Sequence, residues 1–582
     1  MERSTNPQLG NTHSKIQHLT IGGKKIEGDQ AISEGMNNHF CHVGENIAKS
    51  LDPSTKHFKD YLRNKIQDSF YLSNVIENDI CQIIRKLKAK KSSGTDGISN
   101  ILIKYCMNEL LTPLTRIFNA SINQAKYPNS WKIAKVIALY KKKKKDNPAN
   151  YRPISLLNCF GKILERVVYN QMISFIKKHK ILYIKQYAFR EKHSTTHALV
   201  DVIDSIKKAI DKKNCMIGLF LDIEKAFDCV NHDILLQKLD HYGFRGHCQD
   251  FIKSYLSDRI QFTKVNGRES SKMNIQYGVP QGSILGPLFF LLYVNDIQYS
   301  TDRDMTLFAD DTGIFIVENS VELLLAKAKS TLKEVHEWYK TNKLSVNFGK
   351  SNFVIFSSIK KRVPMDIEKI YFNNCEISRV KHTKYIGLEI DELLTWEYHI
   401  NTEIISSLTK FFGIFYNIRH ILNTKLKRTV YFSSIYSKIR YGLEIYGNCA
   451  SKHFNKIQII QNKLLRVLTN REPLCNTNQL HKDLRLLKLE DAHQLSLLCF
   501  VQKCSKNGPI DAFTDFFQSH DHQHNTRMRS NIKKHQITTE LGRSTTHFTA
   551  ATLWNELPAS INKNTTPETF KHNLRDLYLK KY

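Results

Sequence analysis

Apolar positions along the chain switch between two periods, and the switches mark out its elements. At Ile80, Ile83, Ile84 and Leu87 they recur at helical spacing, and Asn74-x-x-Glu77 ahead of them has the form of a helix-capping pair. Residues 133–140 read as a strand, followed by five lysines at 141–145 and a turn around Asn147-Pro148. Residues 217–223 form a short, mostly apolar strand with Asp222 near its end. Asn231 can then cap a helix carrying Ile234, Leu235 and Leu239, which stops at Gly243. Residues 305–308 and 314–317 read as two strands of a hairpin, and their connection, 309–313, holds Asp310 and Asp311. A long amphipathic helix follows, with Leu325, Ala328, Leu332, Val335 and Trp338 on one face. After it, 344–346 and 352–356 are strand-like, and the last third of the chain turns helical and basic. Residues 1–60 are polar and read as a loosely ordered leader with one short helical piece at 40–48.

Composition narrows the class. A chain of 582 residues is too long for one core, so roughly three to four structural units are expected. With 41% hydrophobic residues it can bury a large core, which excludes a wholly disordered protein. A net charge of +31 makes its field attractive to polyanions, and nucleic acid is the expected partner. No apolar run approaches the roughly 18 residues of a membrane span, so no transmembrane helix is expected. The polar N-terminus lacks a signal-peptide core. The 12 cysteines are scattered without a C-x-x-C pair, which reads as reduced thiols in an intracellular protein. His520, His522 and His524 alternate and could touch a metal; a solvated polar loop is the competing reading.

The acids carry the chemistry. Asp222 ends one strand, and Asp310 and Asp311 lie in the turn of another hairpin. Two such strands side by side in an antiparallel sheet bring their acidic ends together. Three converging carboxylates repel one another unless a cation neutralises them. Hard oxygen donors suit Mg²⁺, and two such ions about 3.5–4 Å apart serve in-line phosphoryl transfer.

Phe220-Leu221-Asp222-Ile223-Glu224-Lys225-Ala226-Phe227-Asp228 resembles the first palm motif of reverse transcriptases. Phe308-Ala309-Asp310-Asp311 resembles their second acidic motif. Between them, Gly278-Val279-Pro280-Gln281-Gly282-Ser283 is similar to the Pro-Gln-Gly motif of non-LTR, LINE-like retrotransposons, here of the jockey-like branch. Asn150-Tyr151-Arg152-Pro153-Ile154-Ser155 resembles a finger motif of that group, as does Gln186-Tyr187-Ala188-Phe189-Arg190 followed by His193-Ser194-Thr195. Tyr187-Ala188 stands where the family more often has a Phe-Gly-like pair.

The resemblance implies an α+β right-hand polymerase of fingers, palm and thumb, with a helical N-terminal extension and a C-terminal region. Its expected limits are a polar leader at 1–60, an extension at 61–121, fingers and palm at 122–390, a thumb at 391–450 and a basic region at 451–582. The implied catalytic and metal-binding residues are Asp222, Asp310 and Asp311, with two Mg²⁺ ions and Mn²⁺ as the alternative. Lys350 matches a palm lysine that protonates the leaving pyrophosphate; a plain surface lysine is the other reading. Arg152 offers a fork of donors to the incoming triphosphate and Lys141 a point charge, unless the lysine run is a solvated loop or a nuclear signal. Gln281 is expected near the nucleotide or template. Phe227 matches the ring beneath the sugar that clashes with a 2′-hydroxyl, or else is a core aromatic. Tyr385-Ile386-Gly387 resembles the hairpin that grips the primer, against a strand with a glycine bulge.

The activity implied is RNA-directed DNA polymerisation. Its partners are template RNA, a DNA primer and target, and deoxynucleoside triphosphates, with no membrane. No endonuclease motif precedes the fingers, so the nick is expected from a separate endonuclease, or the reading frame is truncated. The expected location is nucleus and cytoplasm. Two rivals share these features: a domesticated, non-catalytic nucleic-acid binder, and another reverse transcriptase such as an intron maturase.

Overall fold

The computed structural model describes residues 15–141, 144–358, 368–506, 510–518 and 531–582. The histidines at 520, 522 and 524 and Lys142-Lys143 lie outside them. The chain divides into two compact units rather than three or four: Met1–Tyr183 with Ile223–Thr301 and Val335–Ser345, and Ile184–Asp222 with Asp302–Glu334 and Val346–Tyr582.

The first unit is built on a five-stranded sheet. Tyr151–Leu156 pairs with Ile133–Tyr140, which runs parallel to Arg259–Val265. Arg268–Glu269 and Met273–Ile275 complete it. The strand expected at 133–140 forms over those residues. From residue 15 onward the supposed leader is an ordered part of this unit. His18–Ile21 and Lys24–Glu27 make a hairpin about Gly22-Gly23, and Asp29–Ser50 is a helix of 22 residues. That helix buries Ile32, Met36 and Phe40 against Leu19, Val136, Tyr151 and Val265. Buried Asn37 accepts from Thr263 Oγ1 at 3.0 Å and donates to Ser271 O at 3.0 Å, so its polarity is spent inside the fold. The helix Glu77–Lys86 starts at Ile76, not Asn74. The Asp79 carboxylate accepts from Ile76 N at 3.2 Å, which supplies the cap that Asn74 was expected to give. Asn231 caps His232–His241 as its sequence indicates, accepting from Ile234 N at 3.0 Å.

The second unit is a six-stranded sheet in the order Lys369–Phe372, Cys375–Arg379, Asn352–Phe356, Cys215–Leu221, Asp311–Glu318, Asp304–Phe308. Every residue of the central strand Cys215–Leu221 is buried, which is why it reads as a near-continuous apolar run. Residues 344–346 are not a strand; Val346 makes only an isolated bridge.

Helices from 400 to 579 pack into the same core as this sheet, including Ile400, Tyr446, Leu465, Trp554 and Phe570. The C-terminal region is tied to the helix Thr195–Asp211 by buried polar groups. Asp204 accepts from Thr546 N and His547 N, both at 2.8 Å, capping the helix Thr546–Asn555. Lys207 Nζ donates to Ser544 O at 2.6 Å, and Asp211 accepts from Thr539 N at 2.8 Å. Trp554 lies in the core, while Asn555 exchanges two hydrogen bonds with the backbone of Ile532.

Candidate active site

The acids of the second unit are gathered by strand register. Leu221 pairs with Thr312 in an antiparallel ladder. Continuing that register by one residue sets Asp311 across from Asp222, and facing residues in such a ladder have Cβ atoms about 5 Å apart. Asp311 also closes the hairpin opposite Phe308, leaving Ala309-Asp310 as a two-residue turn. The turn is therefore tighter than the five-residue connection expected at 309–313. Thr312 and Gly313 belong to the strand, and Gly313 is small there because a Cβ would lie 2.9 Å from the Phe315 ring.

Asp222 is held from three directions. Its N–H donates to Ser351 Oγ at 3.2 Å, and its carbonyl accepts from Asn347 N at 2.8 Å. Lys350 Nζ lies 2.6 Å from its Oδ2. Among the described residues, no three carboxylate, imidazole or thiol side chains are gathered closely enough to hold a metal by themselves. What brings these acids together is the pairing of their backbones. The donor set is all oxygen and carries a cation, Lys350, on Asp222. Its chemistry fits a divalent ion of the Mg²⁺ type.

Tyr385 and Gly387 lie in a hairpin of the same unit, His382–Tyr385 with Leu388–Asp391, joined by Ile386-Gly387 in left-handed conformations. This is a tight turn, not a bulged strand. The Tyr385 ring is buried 5.0 Å from that of Phe220, and its hydroxyl donates to Thr306 O at 3.3 Å. Burial, and after it the charge of Asp311, raise the Tyr385 hydroxyl, which stays a neutral donor. Tyr385 therefore props the hairpin that carries Asp310 and Asp311, and in its own turn Ile386 is buried while Gly387 is exposed. Tyr441 donates its hydroxyl to Ile386 O and packs on Gly387.

The residues assigned to the nucleotide lie in the first unit. Alternation along Tyr151–Leu156 buries Tyr151, Pro153 and Ser155 and leaves Arg152 exposed. Lys141 is exposed just past the neighbouring strand, its N–H bonded to Asn150 O at 2.9 Å. Phe227 is half-buried in a short 3-10 turn and stacks on Phe290, with centroids 4.7 Å apart and planes at 19°. Gln281 is engaged within the protein: Nε2 donates to Asp228 Oδ1 at 2.9 Å, and its carbonyl accepts from Ser155 N at 2.9 Å. Gly282 has φ 143°, and a Cβ there would stand 2.4 Å from Ser155 O, so the Pro-Gln-Gly loop lies directly on the strand that bears Arg152.

Sequence reasoning passed over Asp228. Burial pushes its carboxyl up to about 6 despite the bond from Gln281. Gly44 is required at the same place, since a Cβ would overlap Asp228 O at 1.9 Å. Glu165 was also missed; it accepts from Ile284 N at 2.5 Å and Leu285 N at 3.2 Å, capping the apolar helix Leu285–Val294. Neither has a local sequence signal, because their partners are more than fifty residues away.

No described helix is long and apolar enough to cross a membrane. Residues 141–390 match the reverse transcriptase (RNA-dependent DNA polymerase) family. The chain is 31% identical over 447 residues to the RNA-directed DNA polymerase from mobile element jockey of Drosophila melanogaster, covering 75% of this chain and 48% of that protein. It is 28% identical over 488 residues to the probable RNA-directed DNA polymerase from transposon BS of the same species, covering 81% and 53%. Against that from transposon X-element it is 29% identical over 442 residues, covering 74% and 48%. The chain spans about half the length of these curated relatives.

Proposed function

We propose that the chain, whose residues 141–390 match the reverse transcriptase (RNA-dependent DNA polymerase) family, is the RNA-directed DNA polymerase of a non-LTR retrotransposon. The observation that carries this is the register that sets Asp311 across from Asp222, with Asp310 in the adjoining turn and Lys350 on Asp222. A pure binder has no use for that arrangement.

In this reading residues 122–390 are fingers and palm and 391–450 the thumb. Asp222, Asp310 and Asp311 would hold the divalent ions. When bound, Mg²⁺ supplies charge neutralisation for the triphosphate and lowers the pKa of the primer 3′-hydroxyl. The remaining steps belong to the chain. Arg152 and Lys141 bind and orient the triphosphate. Phe227 excludes a 2′-hydroxyl. Gln281, fixed by Asp228, shapes the loop beside the base. The exposed turn at Gly387, propped by Tyr385, steadies the primer. Lys350 leaves Asp222 and delivers a proton to the departing pyrophosphate. The primer is the 3′-end of a nicked target, and the chain is located in nucleus and cytoplasm. The test is extension of a DNA primer on an RNA template by the purified chain, with and without Mg²⁺. Metal-dependent deoxynucleotide incorporation supports the reading, and its absence from folded, template-bound protein refutes it.

A further inference from the structure

The turn that carries Asp310 is held by a residue outside the hairpin. Ala309 has φ 57°, a left-handed conformation that an alanine adopts only at a cost. Its N–H donates to the side-chain oxygen of Gln186 at 3.1 Å. The same Oε1 accepts from Ala188 N at 3.1 Å, so one oxygen serves two backbone donors. Gln186 is 2% exposed.

Its own backbone is fixed to the edge strand of the sheet. Leu307 N donates to Lys185 O at 3.0 Å, and Tyr187 N donates to Leu307 O at 2.9 Å. Lys185 pairs with Asp304 at 2.7 Å at the start of that strand. The segment 185–187 thus forms an extra rung along Asp304–Phe308, and from it Gln186 reaches the turn. Buried N–H groups need partners. Without Oε1 two of them lose theirs, and nothing of comparable reach on this rung would hold Ala309 left-handed. Asp310 is the next residue, so its placement relative to Asp222 follows from that bond.

We propose that Gln186 is a positioning residue of the active site, fixing through its side-chain oxygen the turn that presents Asp310. This rests on the polymerase reading for its catalytic meaning, but the placement of Asp310 can be measured without catalysis. A carboxylate would keep the acceptor and add charge beside Asp310 and Asp311; a thioether would keep the volume and lose the acceptor. The Nε2 of Gln186 is buried and, among the described residues, has no acceptor, so the amide's neutrality and not a second bond distinguishes it from glutamate here.

The experiment measures Mn²⁺ binding to the nucleotide-free chain by electron paramagnetic resonance. Binding lost in Asp310→Asn defines the site. Gln186→Met should weaken it by about tenfold or more, the scale on which outer supports of metal ligands act. Gln186→Glu should bind as tightly as the parent or more so. In single-nucleotide extension, Gln186→Met should lower kcat while leaving KM for the nucleotide and the affinity for primer–template unchanged. A folded Gln186→Met with parental Mn²⁺ affinity overturns the proposal. Should that variant not fold, Gln186→Glu decides: retained affinity supports the oxygen's role, and a tenfold loss in folded protein overturns it. Failure of the parent to polymerise would refute the function proposed above, while the Mn²⁺ comparison would still judge Gln186.

Discussion

Lys350 Nζ sits 2.6 Å from Asp222 Oδ2, so a basic side chain occupies one face of the acid proposed to bind a cation. Both partners are partly exposed, and such a pair adds at most about 1 kcal/mol to stability. Lys350→Met should leave the melting temperature nearly unchanged and raise Mn²⁺ affinity, since the competing ammonium is gone. As a lost proton donor it should slow extension by about 10²–10⁴-fold. Slower extension with unchanged metal affinity would mean that the ion pair does not compete with the metal.

Phe227 stacks on Phe290 with one face and has its remaining surface half-exposed. If that surface lies under the sugar, Phe227→Ala admits a 2′-hydroxyl. The ratio of ribonucleotide to deoxynucleotide incorporation should rise by about 1–3 kcal/mol in discrimination, the scope of one steric pocket contact. Competition assays with paired nucleotides measure it. An unchanged ratio makes Phe227 a packing residue only.

Asp228 gives a pH signature. Its carboxyl is raised to about 6 by burial, above the roughly 3.9 of an unfolded chain. Between these values the folded protein holds the extra proton. The contribution to stability is full below the unfolded pKa and is lost as pH rises through 6. Asp228→Asn keeps an acceptor for Gln281 and cannot ionise. Relative to the parent it should gain about 2–3 kcal/mol between pH 4 and pH 7 in urea unfolding. The same difference at both pH values would place the Asp228 carboxyl in an unshifted state.

Legibility in the sequence followed locality. The strand Ile133–Tyr140 and the cap at Asn231 depend on neighbours in the chain, and periodicity and capping chemistry located both. The acids were legible because a buried strand ending on aspartate is a strong local contrast. Their register was not, since Leu221 meets Thr312 only through the sheet. Helix Asp29–Ser50 was hidden by Gly35, Asn37, Asn38 and Gly44, weak helix formers whose places are set elsewhere. Asn37 is buried against Thr263, and Gly44 makes room for Asp228 O. The C-terminal region looked separate because it is basic and distant in sequence. Asp204 and Lys207, more than 330 residues away, make it part of the sheet's core. Gln186 stood in a motif read from resemblance, and only the fold reveals that its oxygen reaches Ala309.

The central claim is that Asp222, Asp310 and Asp311 form a metal-dependent polymerising site. Asp310→Asn removes one carboxylate from the turn and leaves the hairpin's pairing intact. Primer extension on an RNA template with Mg²⁺ should fall by at least about 10²–10³-fold, the scale of losing a principal electrostatic element, while RNA binding and melting temperature stay at parental values. Extension at the parental rate by folded Asp310→Asn would contradict the account.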